Sequence, residues 1–258
     1  MVEQMFCVAK HNLQGRGLPF GKTAQPKERV MNYYGVYFCL LAMVLLVAAI
    51  FVIWQSNSRP NTSLIMKMAS SAGFTILGLF ALLLCGDLTF SKVCIVAGLV
   101  FSIFGDVILG CVNDTHYNRD NVIRCGMVSF ALAQVCYFTA LSRYAGFSWW
   151  SLLIGLVLTL AIVFGDKSLK LNYGNLKPFV MGYSFTLACS VGASVMTMIQ
   201  KGFSAGTLLL LIGMVLFFLS DLVLAFIYFR KEKPSLVIVN LSLYYVAQII
   251  LATAIMYM

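Results

Sequence analysis

The 258-residue sequence is 61% hydrophobic and only 10% charged, with a mean hydropathy of +0.91, whereas an ordinary soluble domain carries about 25% charged residues. This composition excludes a water-soluble globular domain and makes lipid the solvent for most of the chain. A formal net charge of +9 would suggest a nucleic-acid partner in a soluble protein, but here Lys10, Arg16, Lys22, Lys27 and Arg29 crowd the N-terminal tail and the other basic residues flank apolar runs. That is the pattern of membrane flanks facing anionic headgroups, so no nucleic-acid partner is expected.

Residues 1–32 read as a basic cytosolic tail without regular structure. No charged, apolar and small-residue segments follow one another as in a cleavable signal peptide, so the first membrane helix is expected to serve as the targeting signal. Apolar stretches long enough to cross about 30 Å of hydrocarbon predict helices near residues 33–54, 64–84, 92–111, 122–142, 148–164, 175–199, 205–229 and 235–257. The expected fold is all-α: an eight-span transmembrane bundle over residues 33–258, enclosing an intramembrane polar cavity. The fifth span is the shortest and ends at Gly165-Asp166-Lys167; a re-entrant segment there would reduce the count to seven. The connecting loops are too short for a second folded domain.

Basic residues are nearly balanced between the two faces, so the positive-inside rule says little about orientation. Glycosylation sequons at Asn61 and Asn113 both fall on the face opposite the tail, which favours a cytosolic N-terminus. The eight cysteines form no CxxC pair and mostly lie in apolar runs, where a thiol behaves as a small hydrophobe. No disulfide framework is expected, and Cys111 with Cys125 is the one pair to test.

Of the nine acidic residues, only Asp106 and Asp221 interrupt apolar helices. A central aspartate costs roughly 2.5–3.5 kcal/mol on insertion scales, so the two together need compensation of about 5–7 kcal/mol. The third and seventh helices run the same way. Asp106 lies about five and Asp221 about eight residues from its helix exit, roughly 8 and 12 Å, so the carboxyls are expected to meet at one level. Antiparallel neighbours bring Lys67, Gln134, Tyr137, Tyr244, Tyr245 and Gln248 to the same half of the bundle. Gly98, Ser102 and Gly105 leave room for a neighbouring backbone.

Two carboxyls in contact titrate as a pair and can share one proton, which supplies an acid and a base together. The plainer alternative is that each aspartate pairs with a lysine or a backbone donor to fix helix register. Lys67 can either contact a phosphate, partner an aspartate or snorkel to the interface, and the tyrosines can equally form an aromatic belt.

Gly202-Phe203-Ser204-Ala205-Gly206 matches the G-x-S-x-G pattern, but that motif needs a strand, a turn and a helix together with a histidine partner. His11 and His116 are poorly placed to supply one. Asp114, His116 and Asp120 read as a solvated loop and not as a zinc site, which usually draws three ligands from firmly held elements. No metal or other cofactor is expected. A retinal-binding opsin is set aside because the last two spans lack a deep lysine.

The segments GLVFSIFGDVIL around Asp106, LFFLSDLVLAF around Asp221 and LYYVAQIILA in the last helix, with LIMK ending at Lys67, resemble the lysoplasmalogenase (YhhN) family from the second helix to the eighth. The resemblance implies hydrolysis of the vinyl ether bond of a lysophospholipid substrate, lysoplasmenylethanolamine or lysoplasmenylcholine, to a fatty aldehyde and a glycerophospho-alcohol, in the endoplasmic reticulum membrane. Family members commonly carry a histidine where this chain has Gln134, and glutamine does not titrate near neutrality.

On this reading one protonated aspartate, Asp106 or Asp221, is the acid, and its ionised partner stabilises the oxocarbenium-like cation and activates water, as paired carboxyls do in glycosidases. Lys67 would hold the phosphate, while Tyr245 and Gln248 would orient water or the ether oxygen. The alternatives are a proton-coupled transporter of lipid or small molecules, since paired intramembrane aspartates also mark ion pathways, and a lipid-binding member with altered catalysis.

Overall fold

A computed structural model describes residues 26–57, 64–112, 116, 118–169, 171–230 and 233–258. Most of the tail, the sequons at Asn61 and Asn113, and Asp114 lie outside the described residues. The described residues form eight long helices: α1 Pro26–Asn57, α2 Leu64–Cys85, α3 Phe90–Gly110, α4 Arg119–Ala145, α5 Trp149–Leu169, α6 Lys177–Lys201, α7 Ala205–Phe229 and α8 Pro234–Ala254. Short 3₁₀ turns precede α6 and follow α8. No strand occurs among the described residues. The all-α reading holds, and helix α1 begins at Pro26, inside the segment assigned from sequence to the tail.

Seven of the helices are long and apolar enough to span a membrane, and the apolar part of α5, Trp149–Gly165, is shorter. Helix α5 is nonetheless one continuous helix and not a re-entrant hairpin. Backbone polar groups have no water to bond in hydrocarbon, so helices that satisfy them internally are the form such a sequence must take.

Six helices close into a ring in the order α2, α3, α4, α6, α7, α8 and back to α2. Helix α1 packs outside against α2 and α8, and α5 packs outside against α6. Small residues set the close approaches. A Cβ added at Gly98 would meet the Tyr137 ring at 2.4 Å, and one at Gly105 would meet the Phe130 ring at 2.5 Å. The small face of α3 thus receives aromatic side chains of α4, where the sequence predicts a neighbouring backbone. Between α5 and α6 the backbones themselves touch: a Cβ at Gly192 would lie 2.3 Å from the Ser151 carbonyl oxygen.

The helix ends place the chemistry. Helices α2, α4, α6 and α8 begin, and α3, α5 and α7 end, at the end of the bundle opposite the start of α1, and both intramembrane aspartates lie in that half. At the other end, Ser204 caps α7: its hydroxyl accepts from the Thr207 amide at 3.2 Å, and the Ser204 amide donates back to the Thr207 hydroxyl at 3.0 Å. The serine of the G-x-S-x-G match is therefore a capping residue, worth about 1 kcal/mol to the helix. Cys111 and Cys125 are both free thiols.

Candidate functional site

Asp106 stands one turn before the end of α3 and is 4% exposed. Its Oδ2 accepts from the Ser71 hydroxyl at 2.6 Å and from the Tyr244 hydroxyl at 2.7 Å, and the Lys67 ammonium lies 3.6 Å from Oδ1. Lys67 and Ser71 are four residues apart on α2 and so share a face; Tyr244 arrives from α8. A buried carboxylate is tolerated only when paired and hydrogen-bonded, and this one has an ammonium and two hydroxyls. Of the roles expected for Lys67, partnership with an aspartate is the one the geometry shows.

Asp221 has a different environment. Its carboxyl accepts hydrogen bonds from the Tyr183 hydroxyl of α6 and, at 3.2 Å, from the adjacent Ser220 hydroxyl. No cation among the described residues pairs with it. It lines a cavity of about 70 Å³ with Leu109, Ile123, Phe130, Val180, Tyr183 and Tyr228. The wall is apolar apart from the carboxyl and a few hydroxyl-bearing side chains. Space of that size suits a small group or several water molecules.

The two carboxyls, expected in a single cavity, occupy adjoining centres. Helices α3 and α7 hold opposite places on the ring, and no hydrogen bond joins the two carboxyls. The cavity reaches Asp221 and not Asp106. Three rings pack against one another beside these centres: Phe130 and Phe217 with centroids 6.2 Å apart, Phe130 and Tyr244 at 6.0 Å, and Phe217 and Tyr244 at 5.5 Å, all edge to face. Phe130 is a wall of the cavity, while Tyr244 bonds Asp106, so this triangle links the two centres by packing.

The remaining residues expected at the site are placed as follows. The Tyr137 hydroxyl donates to Gln248 Oε1 at 2.9 Å, and Gln248 lies one turn beyond Tyr244 on α8. Gln134 is fully buried, and neither atom of its side-chain amide has a hydrogen-bond partner among the described residues. The Tyr245 ring packs on Phe51 of α1 and Phe74 of α2, and its buried hydroxyl likewise has no partner. The structure therefore gathers Lys67, Asp106 and Tyr244 directly, sets Tyr137 and Gln248 a turn deeper, and turns Tyr245 towards α1. Among the described residues no three His, Cys, Asp or Glu side chains are grouped to hold a metal ion.

Two side chains that hydrogen-bond the carboxyls are not singled out by the sequence, Ser71 and Tyr183. Ser71 is legible in retrospect from its spacing of four from Lys67. Tyr183 carries no such signal, because only the packing of α6 on α7 aims it at Asp221.

This fold and site define a polytopic α-helical membrane protein with two intramembrane carboxyls, each in its own hydrogen-bonded setting. Residues 67–255 match the YhhN family, a stretch that takes in both aspartates, Lys67 and Tyr244, and the chain belongs to that family. No curated protein and no solved structure matches it.

Proposed function

We propose that this protein is a lysoplasmalogenase, an ether hydrolase that cleaves the vinyl ether bond of lysoplasmenylethanolamine or lysoplasmenylcholine to a fatty aldehyde and a glycerophospho-alcohol within the membrane. The endoplasmic reticulum, with the N-terminus in the cytosol, is the location that fits. The observation that carries the reading is Asp221: a half-buried carboxyl without a cation partner among the described residues, hydrogen-bonded by a tyrosine and facing an apolar cavity inside a bilayer-spanning bundle. Family membership supports the same reaction.

The two environments suggest a division of labour. Asp106 accepts from two hydroxyls and stands beside an ammonium, as a carboxylate does, so its part is to stabilise positive charge across the aromatic triangle. Asp221 faces the space where a vinyl ether would lie and is the proton donor. Its proton goes to the β-carbon of the alkenyl group, the C=C electrons form that C–H bond, and the adjacent carbon becomes an oxocarbenium-like cation. Water attacks the cationic carbon, returning a proton to Asp221, and the resulting hemiacetal collapses to aldehyde and alcohol as a proton passes to the departing glycerol oxygen. Only the vinyl ether need enter the cavity, because the hydrocarbon chain can remain in lipid.

Purified protein supplied with lysoplasmenylethanolamine and with its ester analogue tests this reading. Fatty aldehyde from the first and no fatty acid from the second is the expected result. No aldehyde, together with substrate flux across sealed liposomes, would instead make the protein a carrier.

A further inference from the structure

Two arginines on the first turns of α4 have no assigned role. Arg119 is exposed; one of its Nη atoms donates to the Tyr228 carbonyl oxygen at 3.4 Å, and its guanidinium lies 5.8 Å from the centre of the Tyr228 ring. Tyr228 is a wall of the Asp221 cavity. Arg124 lies against the ring of Phe179 at 5.5 Å, next to the cavity residues Ile123 and Val180. Its Nη1 donates only a long 3.4 Å bond to Asn121, and its buried Nε has no partner. Asp120 is four residues before Arg124, the spacing at which a helix pairs opposite charges, yet neither arginine pairs with it or with any other described carboxylate. The Arg119 guanidinium lies instead against Tyr228, a ring of the cavity wall, and that of Arg124 against the exposed ring of Phe179, the residue before the wall residue Val180. The helix start is not itself on offer to an anion, because the Asn118 side chain already accepts from the Asp120 and Asn121 amides.

The levels are also right. The Arg119 contact at Tyr228 is seven residues beyond Asp221 on α7, about 10 Å along the axis. In a lysoplasmalogen the phosphorus lies about seven bonds from the β-carbon of the alkenyl group, roughly 9 Å when extended. A substrate with its vinyl ether at Asp221 thus carries its phosphate to the height of Arg119, and guanidinium is the side chain best shaped to grip phosphate oxygens in pairs. Lys67, the phosphate contact expected from sequence, stands beside Asp106 and is not part of this cavity's wall.

We infer that Arg119 and Arg124 form the phosphate subsite of the Asp221 cavity, gripping the phosphodiester of a lysophospholipid and so setting which bond of the lipid reaches the carboxyl. The inference rests on the proposed reaction for its substrate geometry, but the anion site can be tested without catalysis.

The experiment uses the full chain in bicelles, wild type beside the variant Arg119→Gln/Arg124→Gln and the conservative Arg119→Lys/Arg124→Lys. Binding is measured with a non-hydrolysable 1-alkyl lysophospholipid and with the corresponding 1-alkylglycerol, which lacks the phosphate. Hydrolysis is measured with lysoplasmenylethanolamine and 1-alkenylglycerol. The glutamine variant is expected to bind the lysophospholipid at least tenfold more weakly and to raise its KM similarly with little change in kcat. Its handling of both phosphate-free lipids should be unchanged, and the lysine variant should fall between. Equal losses on both lipid classes, no loss on either, or displacement of the lipid by inorganic phosphate at the lipid's own concentration would overturn the subsite. Absence of hydrolysis in the wild type, with the phosphate-dependent binding difference intact, would overturn the reaction and leave the subsite standing.

Discussion

The Phe130 ring meets the Tyr244 ring edge to face at 6.0 Å, and through that contact the wall of the Asp221 cavity is braced against the residue whose hydroxyl holds Asp106. The two carboxyls are thereby coupled through packing, although no hydrogen bond joins them. A change to any ring of the triangle is felt at both centres.

Gly105→Ala tests the brace. The added Cβ would lie 2.5 Å from the Phe130 ring, so the ring must shift, and overpacking of this kind costs about 1–3 kcal/mol. Thermal unfolding in detergent should show the loss, and aldehyde release should fall with it, because Phe130 is a wall of the Asp221 cavity and moves while neither carboxyl is altered.

Lys67→Met leaves the Asp106 carboxylate without its ammonium. Breaking a buried pair costs about 3 kcal/mol at the low end of the usual range, and the low end applies because the lysine side chain remains 19% exposed. The double variant Lys67→Met/Asp106→Asn removes the orphaned charge and should recover much of that stability without recovering activity. A double-mutant cycle by denaturation measures both parts.

Tyr244→Phe and Ser71→Ala each remove one donor from Asp106. A hydrogen bond to a charged group is worth about 1.5–3 kcal/mol, and the two losses should be non-additive because the hydroxyls share Oδ2. Steady-state kinetics should show a lower kcat with KM little changed, since neither side chain borders the Asp221 cavity.

Tyr183→Phe removes the aromatic donor from Asp221 while keeping the cavity's shape. If Asp221 delivers the proton, kcat should fall by about 10-fold or more. The solvent deuterium isotope effect on kcat should also change, which loss of packing alone would not produce.

The sequence was legible where lipid imposes its rules. Apolar run length located all eight helices to within a few residues at most ends, because hydrocarbon leaves the backbone no other option. Asp106 and Asp221 stood out for the cost of a charge there, and Lys67 and Tyr244 were found because antiparallel neighbours must bring their polar groups to the same depth. Depth, however, says nothing of azimuth. Ring order puts α3 and α7 opposite one another, and the cavity expected to hold both carboxyls is lined by Asp221 and not by Asp106. Tyr183 was overlooked for the same reason: its partner on α7 is fixed by how α6 packs, which no local spacing records. Tyr245, adjacent to Tyr244, points towards α1 because consecutive helical residues diverge by about 100°.

The most direct test of the account is aldehyde release from lysoplasmenylethanolamine by purified Asp106→Asn and Asp221→Asn, each first shown to be folded by its thermal transition. Loss of a positioned acid or base costs about 10²-fold or more, so wild type should release aldehyde and both variants should fall by at least that factor. Hydrolysis at the wild-type rate by both variants would contradict the central role given to the two carboxyls.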